Sequence, residues 1–163
     1  MADIPDFGSI PDDLFAGGAH LAGQDSPHLA EILNKSGLKS IHGPARLSLI
    51  AASAEVHRFR WPGPTVQVAE LHTALSDALA TGDATLTASI EKHDTDGAVA
   101  TSTAVTGGVI TITETGSAAG DVDAATPTDE NILEYGDCLV VTVGGANTAD
   151  VHADLTFLVR AVS

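Results

Sequence analysis

Between Asp83 and Arg160 the chain alternates apolar and small polar residues in short runs set apart by glycines. The runs are Asp83-Ala-Thr-Leu-Thr-Ala-Ser-Ile90, Val105-Thr-Gly-Gly-Val-Ile-Thr-Ile-Thr113, Cys138-Leu-Val-Val-Thr-Val143 and Val151-His-Ala-Asp-Leu-Thr-Phe-Leu-Val-Arg160. Successive side chains of a strand point to opposite faces, so each run predicts a strand with one apolar face. Val, Ile and Thr suit a pleated surface, and Gly107-Gly108, Gly116, Gly120, Gly136 and Gly144-Gly145 permit the positive φ of tight turns between strands. Leu47-Ser-Leu-Ile50 and Val56-His-Arg-Phe-Arg-Trp61 predict two more strands, the second stopped by Pro62-Gly63-Pro64. A further strand is expected over 65–73. Leu71, Leu75, Ala78 and Leu79 then fit a helical period, which predicts a helical turn near 75–80. Each apolar face needs a second sheet or a neighbouring subunit to cover it. The expected fold is mainly β: an antiparallel, jelly-roll-like β-sandwich over residues 46–163.

The pattern changes upstream, where residues 1–45 read as an N-terminal arm. Ile4-Pro5-Asp6-Phe7-Gly8 and Ile10-Pro11-Asp12 repeat an apolar-Pro-Asp motif. Proline opposes helix and removes a ladder donor, so an extended course is expected there. Ile4, Phe7, Ile10, Leu14 and Phe15 have no core of their own, so the segment reads either as a disordered tail or as an arm that orders on a partner with these as its anchors in a groove. Ser26-Pro27 then starts the one clear helix signal, with Ser26 as N-cap, Pro27 at the first helical position and Gly37 past the end. Leu29, Ile32 and Leu33 share a face of this short helix, expected over about 26–36, and Glu31 with Lys35 forms an i,i+4 pair. So short a helix must pack on something.

Composition sharpens the picture in two ways. The chain is 44% hydrophobic but only 4% aromatic, so Ala, Val, Leu and Ile must build the core of its 163 residues. Small side chains bury little area each, and association with further copies would add burial, so a homo-oligomer is expected. The formal net charge is −15, which argues against direct contact with nucleic acid phosphates. That charge is segregated. Residues 1–34 carry six acids and no Lys or Arg, and residues 61–163 carry fifteen acids against Lys92 and Arg160. Residues 35–60 instead hold Lys35, Lys39, Arg46, Arg58 and Arg60 against Glu55 alone. Lys35, Lys39 and Arg46 are therefore candidate contacts to an acidic partner, while the acidic body faces solvent.

Candidate chemistry is sparse. His20, His28, His42, His57, His72, His93 and His152 show no HxxxH or HExxH spacing, so no metal site is expected. Asp94-Thr-Asp96-Gly97 resembles part of a calcium loop, but with Gly97 at the turn the first and last ligand positions fall on Lys92 and Thr103, and a hairpin turn fits better. Cys138 is the only cysteine and lies in an apolar run, which predicts a buried, inert thiol. Gly116-Ser-Ala-Ala-Gly120 is not a nucleophile elbow, and neither GxGxxG nor a P-loop occurs. No catalytic or cofactor-binding residue is assigned, and the expectation is a non-enzyme. The acidic N-terminus lacks a signal-peptide h-region and no run approaches a membrane span, so synthesis in a cytoplasm is expected, with no membrane partner.

The strand region resembles a known family. Ala78-Leu-Ala-Thr-Gly-Asp-Ala-Thr-Leu-Thr-Ala-Ser-Ile90 followed by Val105-Thr-Gly-Gly-Val-Ile-Thr-Ile112 is similar to small structural proteins of tailed bacteriophages. Gly116-Ser-Ala-Ala-Gly-Asp-Val-Asp-Ala-Ala-Thr-Pro-Thr128 and Gly136-Asp-Cys-Leu-Val-Val-Thr-Val-Gly-Gly-Ala-Asn-Thr148 continue the likeness, which covers roughly residues 56–160. The family is that of head decoration (cement) proteins and head fibres, often trimeric β-sandwiches on the capsid exterior. The resemblance implies a structural virion protein, a homotrimer bound to the major capsid protein, with no active site to carry over. The alternative from another class is a receptor- or carbohydrate-binding module of a phage fibre or tail. Sugar rings stack on exposed aromatics, and Trp61 and Tyr135 are the residues that could serve.

Overall fold

A computed structural model describes residues 40–162. The helix expected over 26–36 lies outside the described residues. Nine strands account for the body: β1 (Ser40–Ser48), β2 (Val56–Arg60), β3 (Val66–Leu75), β4 (Ala84–His93), β5 (Val99–Ile112), β6 (Val122–Ala125), β7 (Ile132–Leu133), β8 (Cys138–Gly145) and β9 (His152–Ala161). A 3₁₀ turn at Ala51–Ser53 is the only helical segment among the described residues. No helix there is long and apolar enough to cross a membrane.

The strands form two antiparallel sheets, ordered β1-β9-β3-β6 with β7 also on β3, and β2-β8-β4-β5. β6 pairs with Leu71–Ala74 of β3 and β7 with Val66–Gln67, so the two act as pieces of one interrupted strand. Counted so, the chain passes back and forth between the sheets as two nested Greek keys, the wiring of a jelly roll. The fold class expected from alternation is the one observed. β1 begins at Ser40, six residues above the 45/46 boundary, and of those six Ser40, Ile41, His42 and Ala45 pair with β9 around a bulge at Gly43-Pro44.

Alternation sets which side chains meet between the sheets. In β9, Ala153, Leu155, Phe157 and Val159 point inward and are at most 3% exposed, while Asp154 and Arg160 face out. Opposite them lie Leu86, Ala88 and Ile90 of β4 and Leu139, Val141 and Val143 of β8. The core is aliphatic apart from Trp61 and Phe157, with Phe59 packed against its edge. Each fully buried Leu, Ile or Val contributes about 1.5–3 kcal/mol, so many are needed.

Two expectations are corrected. No helical turn forms over 75–80: β3 continues to Leu75, and the chain then bends at Ser76 and Asp77. A bulge between Val68 and Glu70 resets the register, so Leu71, Thr73 and Leu75 point inward at period two. Leu79 is then drawn into the core from the loop, its N–H donating to Ser117 Oγ at 2.8 Å. Gly107-Gly108, expected to mark a turn, lies inside β5 at a bulge, where Ser89 pairs with Ala104 and Thr87 with Val109. Thr106 there accepts from Thr128 N–H and donates its own N–H to Asp129 O, so a loop crosses the strand edge. Gly107 has φ +72, and a Cβ on it would meet Thr126 O at 2.8 Å.

Candidate interaction surfaces

The four loops β1–β2, β3–β4, β5–β6 and β8–β9 meet at one end of the sandwich. They carry Glu55, Asp77, Asp83, Glu114, Asp121 and Asp150, and no Lys or Arg. Backbone and side-chain bonds knit them: Asp83 Oδ1 accepts from Glu114 N–H (2.8 Å), and Asp83 O accepts from the N–H groups of Ala146 and Asn147. Asn147, fully buried, donates from Nδ2 to the carbonyls of Leu49 (3.0 Å) and Ala149 (2.9 Å). Sequence reasoning missed this residue. The signal available was an Asn between Ala146 and Thr148 just beyond a Gly-Gly pair, a turn context in which its amide can bind backbone.

The opposite end is where the chain enters β1, since Ser40 pairs with Val159 near the end of β9. Arg60, Lys92 and Arg160 lie toward it, with Arg58 two residues inside Arg60, so four of the five described cations occupy this half. Asp94, Asp96, Asp129, Glu130, Glu134 and Asp137 share it, and Lys92 pairs with Glu134 at 2.8 Å. The ends of the molecule thus differ in kind: one purely acidic, one of mixed charge.

Of the candidate contacts named from sequence, the structure places Arg46. It is exposed on β1, directly across from Asp154 on β9. Ile4, Phe7, Ile10, Leu14, Phe15, Lys35 and Lys39 lie outside the described residues. Arg58 is engaged within the body: its Nε and Nη2 donate to both carboxylate oxygens of Glu91 at 2.9 and 3.1 Å. β8 lies between their strands, so the pair bridges over it, and Val140 and Cys138 beneath are 3% and 7% exposed. Cys138 is buried as expected, and burial raises its thiol pKa, with the Glu91 carboxylate adding to the effect, which favours the protonated thiol.

The outer face of the β2-β8-β4-β5 sheet follows from its register. One row across it reads Val56, Thr142, Thr87, Val109. The next reads Arg58, Val140, Ser89, Ala104, and a third Arg60, Cys138, Glu91, Ser102. Its only charges in these rows are the two arginines and the one paired glutamate. The outer face of the other sheet is unlike it, carrying Arg46, Glu70, His72, His152, Asp154 and Arg160.

The histidines follow a rule that HxxxH spacing could not reveal. Four of the five described ones stand two residues after an acid, and three of these pair with it: Glu55/His57 at 2.6 Å, Glu70/His72 at 2.8 Å and Asp150/His152 at 3.9 Å, whereas Glu91, two before His93, is taken by Arg58. Acid-x-His at the strand period is the signal, and it marks local pairs rather than ligands. Glu55 also accepts from Ser48 N–H at 2.8 Å. The His57 hydrogen bond, then the Ser48 N–H and the nearby His57 and His152 rings, hold its carboxyl below the ordinary 4.5 against the opposing effect of burial. A depressed carboxyl stabilises the fold above its ordinary range, and that contribution disappears as pH falls through the lowered value. Glu55→Gln is therefore expected to cost about 0.5–1 kcal/mol at pH 7, the side chain being a third exposed. The gap from wild type should close as pH falls below the ordinary carboxylate range, as thermal melts over a pH series would read.

Other candidates take their place plainly. Asp94 and Asp96 both accept from Ala98 N–H at 3.0 Å, the hairpin turn expected of them. Among the described residues no group of three or more His, Cys, Asp or Glu is placed to hold a metal ion. A cleft of about 380 Å³ lies beside that turn, lined by Arg60, His93 and Cys138 among others. Trp61 is buried and donates from Nε1 to Pro64 O at 2.6 Å, whereas Tyr135 is 79% exposed in the turn before β8.

No family model matches the chain, and no curated protein does. Among solved structures, one likeness is to the Clostridium thermocellum xylanase 10B CBM22-1–GH10 modules complexed with xylohexaose. It has 12% identity and a TM-score of 0.32, covering 60% of this chain and 17% of that one. Another is to infectious bursal disease virus, Gx strain, at 13% identity and a TM-score of 0.32, covering 75% of this chain and 28% of that one. Scores this low establish no shared fold, and the chain spans less than a third of either.

Proposed function

We propose that this chain is a structural virion protein that decorates and stabilises the outside of a tailed-bacteriophage capsid as a homo-oligomer, a trimer being the expected form. Its partners are the major capsid protein and further copies of itself, and its role is non-catalytic. The observation that carries this reading is the polarity of the jelly roll. One end presents six loop carboxylates and no cation, while the residues leading into β1 join at the other end. Lys39 immediately precedes Ser40 in the sequence, and Ser40 enters the sandwich at the end away from the acidic loops. A subunit seated on the shell by its entry end would turn the acidic end to solvent and keep neighbours apart through like charge. Residues 1–39 then supply the anchor, with Ile4, Phe7, Ile10, Leu14 and Phe15 as the apolar contacts and Lys35 and Lys39 as the electrostatic ones.

The test is binding to purified capsids measured by cosedimentation at several salt concentrations. Exposed ion pairs are each worth about 0.2–1 kcal/mol, so Lys35→Gln with Lys39→Gln should weaken binding about two- to thirty-fold and flatten its salt dependence. Arg46→Gln should matter less, because Arg46 lies opposite Asp154 within the body. Thermal stability should stay nearly unchanged for the lysine pair. Binding indifferent to both the substitutions and the salt would remove the electrostatic part of the reading and leave attachment to the apolar arm. Specific retention on a glycan array, lost on Tyr135→Ala, would favour the receptor-binding alternative instead.

A further inference from the structure

We infer that the outer face of the β2-β8-β4-β5 sheet is the surface on which one copy of this chain meets another. The inference rests on the homo-oligomeric part of the proposed function and adds where the contact lies. Charge decides the occupant. A chain of net charge −15 repels its own copies almost anywhere they approach. The acidic loop end would set like charges together, and the outer face of the other sheet only balances Glu70 and Asp154 against Arg46 and Arg160 and exposes no apolar row. The β2-β8-β4-β5 face carries Arg58 and Arg60, and its one acid, Glu91, is already neutralised by Arg58. Here a second acidic copy meets a neutral to positive surface.

The chemistry of the face agrees. In the row Val56, Thr142, Thr87, Val109 the two valines are 40% and 50% exposed, large apolar groups left to solvent at either side of the sheet. The residues between are small, so another protein surface can approach about as closely as stacked sheets do, near 10 Å. β5 extends the surface: Val99–Ala104 are all exposed, and no ionisable residue occurs from Ala98 to Thr113. This long edge strand has no Lys, Pro or inward charge, and what interrupts it is two bulges and the loop that crosses it at Thr106. Such an edge suits a strand that is covered in the assembled protein.

The experiment is light scattering coupled to size exclusion on the full chain at micromolar concentration, with two variants on the face and one off it. Wild type should elute as a multiple of 16.5 kDa. Thr87→Glu and Val109→Asp should fall to the monomer mass with unchanged far-ultraviolet circular dichroism. Ala124→Glu, exposed on β6 of the other sheet, should keep the wild-type mass. Should a face variant unfold, hydrogen exchange of the wild type decides: the Val99–Ala104 amides should lose protection on dilution. Face variants that remain oligomeric, or exchange there that ignores dilution, overturn the inference while the homo-oligomer stands. A monomeric wild type overturns both, and its cosedimentation with capsids then reports separately on decoration.

Discussion

Asn147→Ala is expected to lower the stability of the fold by about 3 kcal/mol, one of the two largest effects anticipated for a single change. The side chain is fully buried and makes four bonds: Nδ2 to the carbonyls of Leu49 and Ala149, and Oδ1 from Ala149 N–H and the Thr81 hydroxyl, both at 3.2 Å. Alanine would leave the Leu49 carbonyl without its amide partner in a buried setting. Each group so stranded costs about 1–3 kcal/mol. The residue's own backbone bonds to Ala51 N–H and Asp83 O would remain, so the loss is confined to the side chain's ties to Leu49, Ala149 and Thr81. For a domain of this size the loss corresponds to a melting temperature lower by about 6–12 °C. A fall of under about 2 °C would show that water enters and replaces the amide.

Gly145→Ala should cost roughly 3 kcal/mol or more, for a different reason. Gly145 ends β8 at φ +100, where it faces Ala84, and an added Cβ would run into Asp83 O and sit 2.9 Å from Ala84 Cα. Both obstacles are backbone, so a strand must move. Gly116 supplies the control: its φ is +87, but nothing lies within 4 Å of an added Cβ. Gly116→Ala should cost only about 1–2 kcal/mol, the price of the left-handed backbone alone. Equal losses at the two sites, measured by urea denaturation, would contradict the close approach of β8 and β4.

What could be read from the sequence depended on the length of each pattern. β4 and β9 span ten residues each of near-regular alternation, long enough for a period of two to stand out, while β8 showed as an apolar run bounded by glycines, its first four residues all buried. β6 and β7, with four and two residues, are too short to show one. Period fixes which side a residue faces but says nothing of which strand lies beside it, so the jelly-roll order had to come from pairing. In β3 the bulge after Val68 broke the alternation, and Leu71, Leu75 and Leu79 then mimicked a helix face. The candidate surface was legible only in part. The segregated charge is visible in the chain, but Arg58 finds its partner Glu91 thirty-three positions away, across another strand. The acidic end likewise gathers Glu55, Asp83, Glu114 and Asp150 from four separate loops.

The central claim, that this jelly roll coats a phage shell, is tested most directly by an electron cryomicroscopy map of the parent particle. The account predicts sandwich-sized density in several symmetry-related copies outside the capsid lattice. In each copy the Ser40 end should point to the shell and the acidic loops to solvent, with Thr87 and Val109 at the contact between copies. A bare capsid exterior, or the same density confined to the tail or a fibre tip, would contradict it.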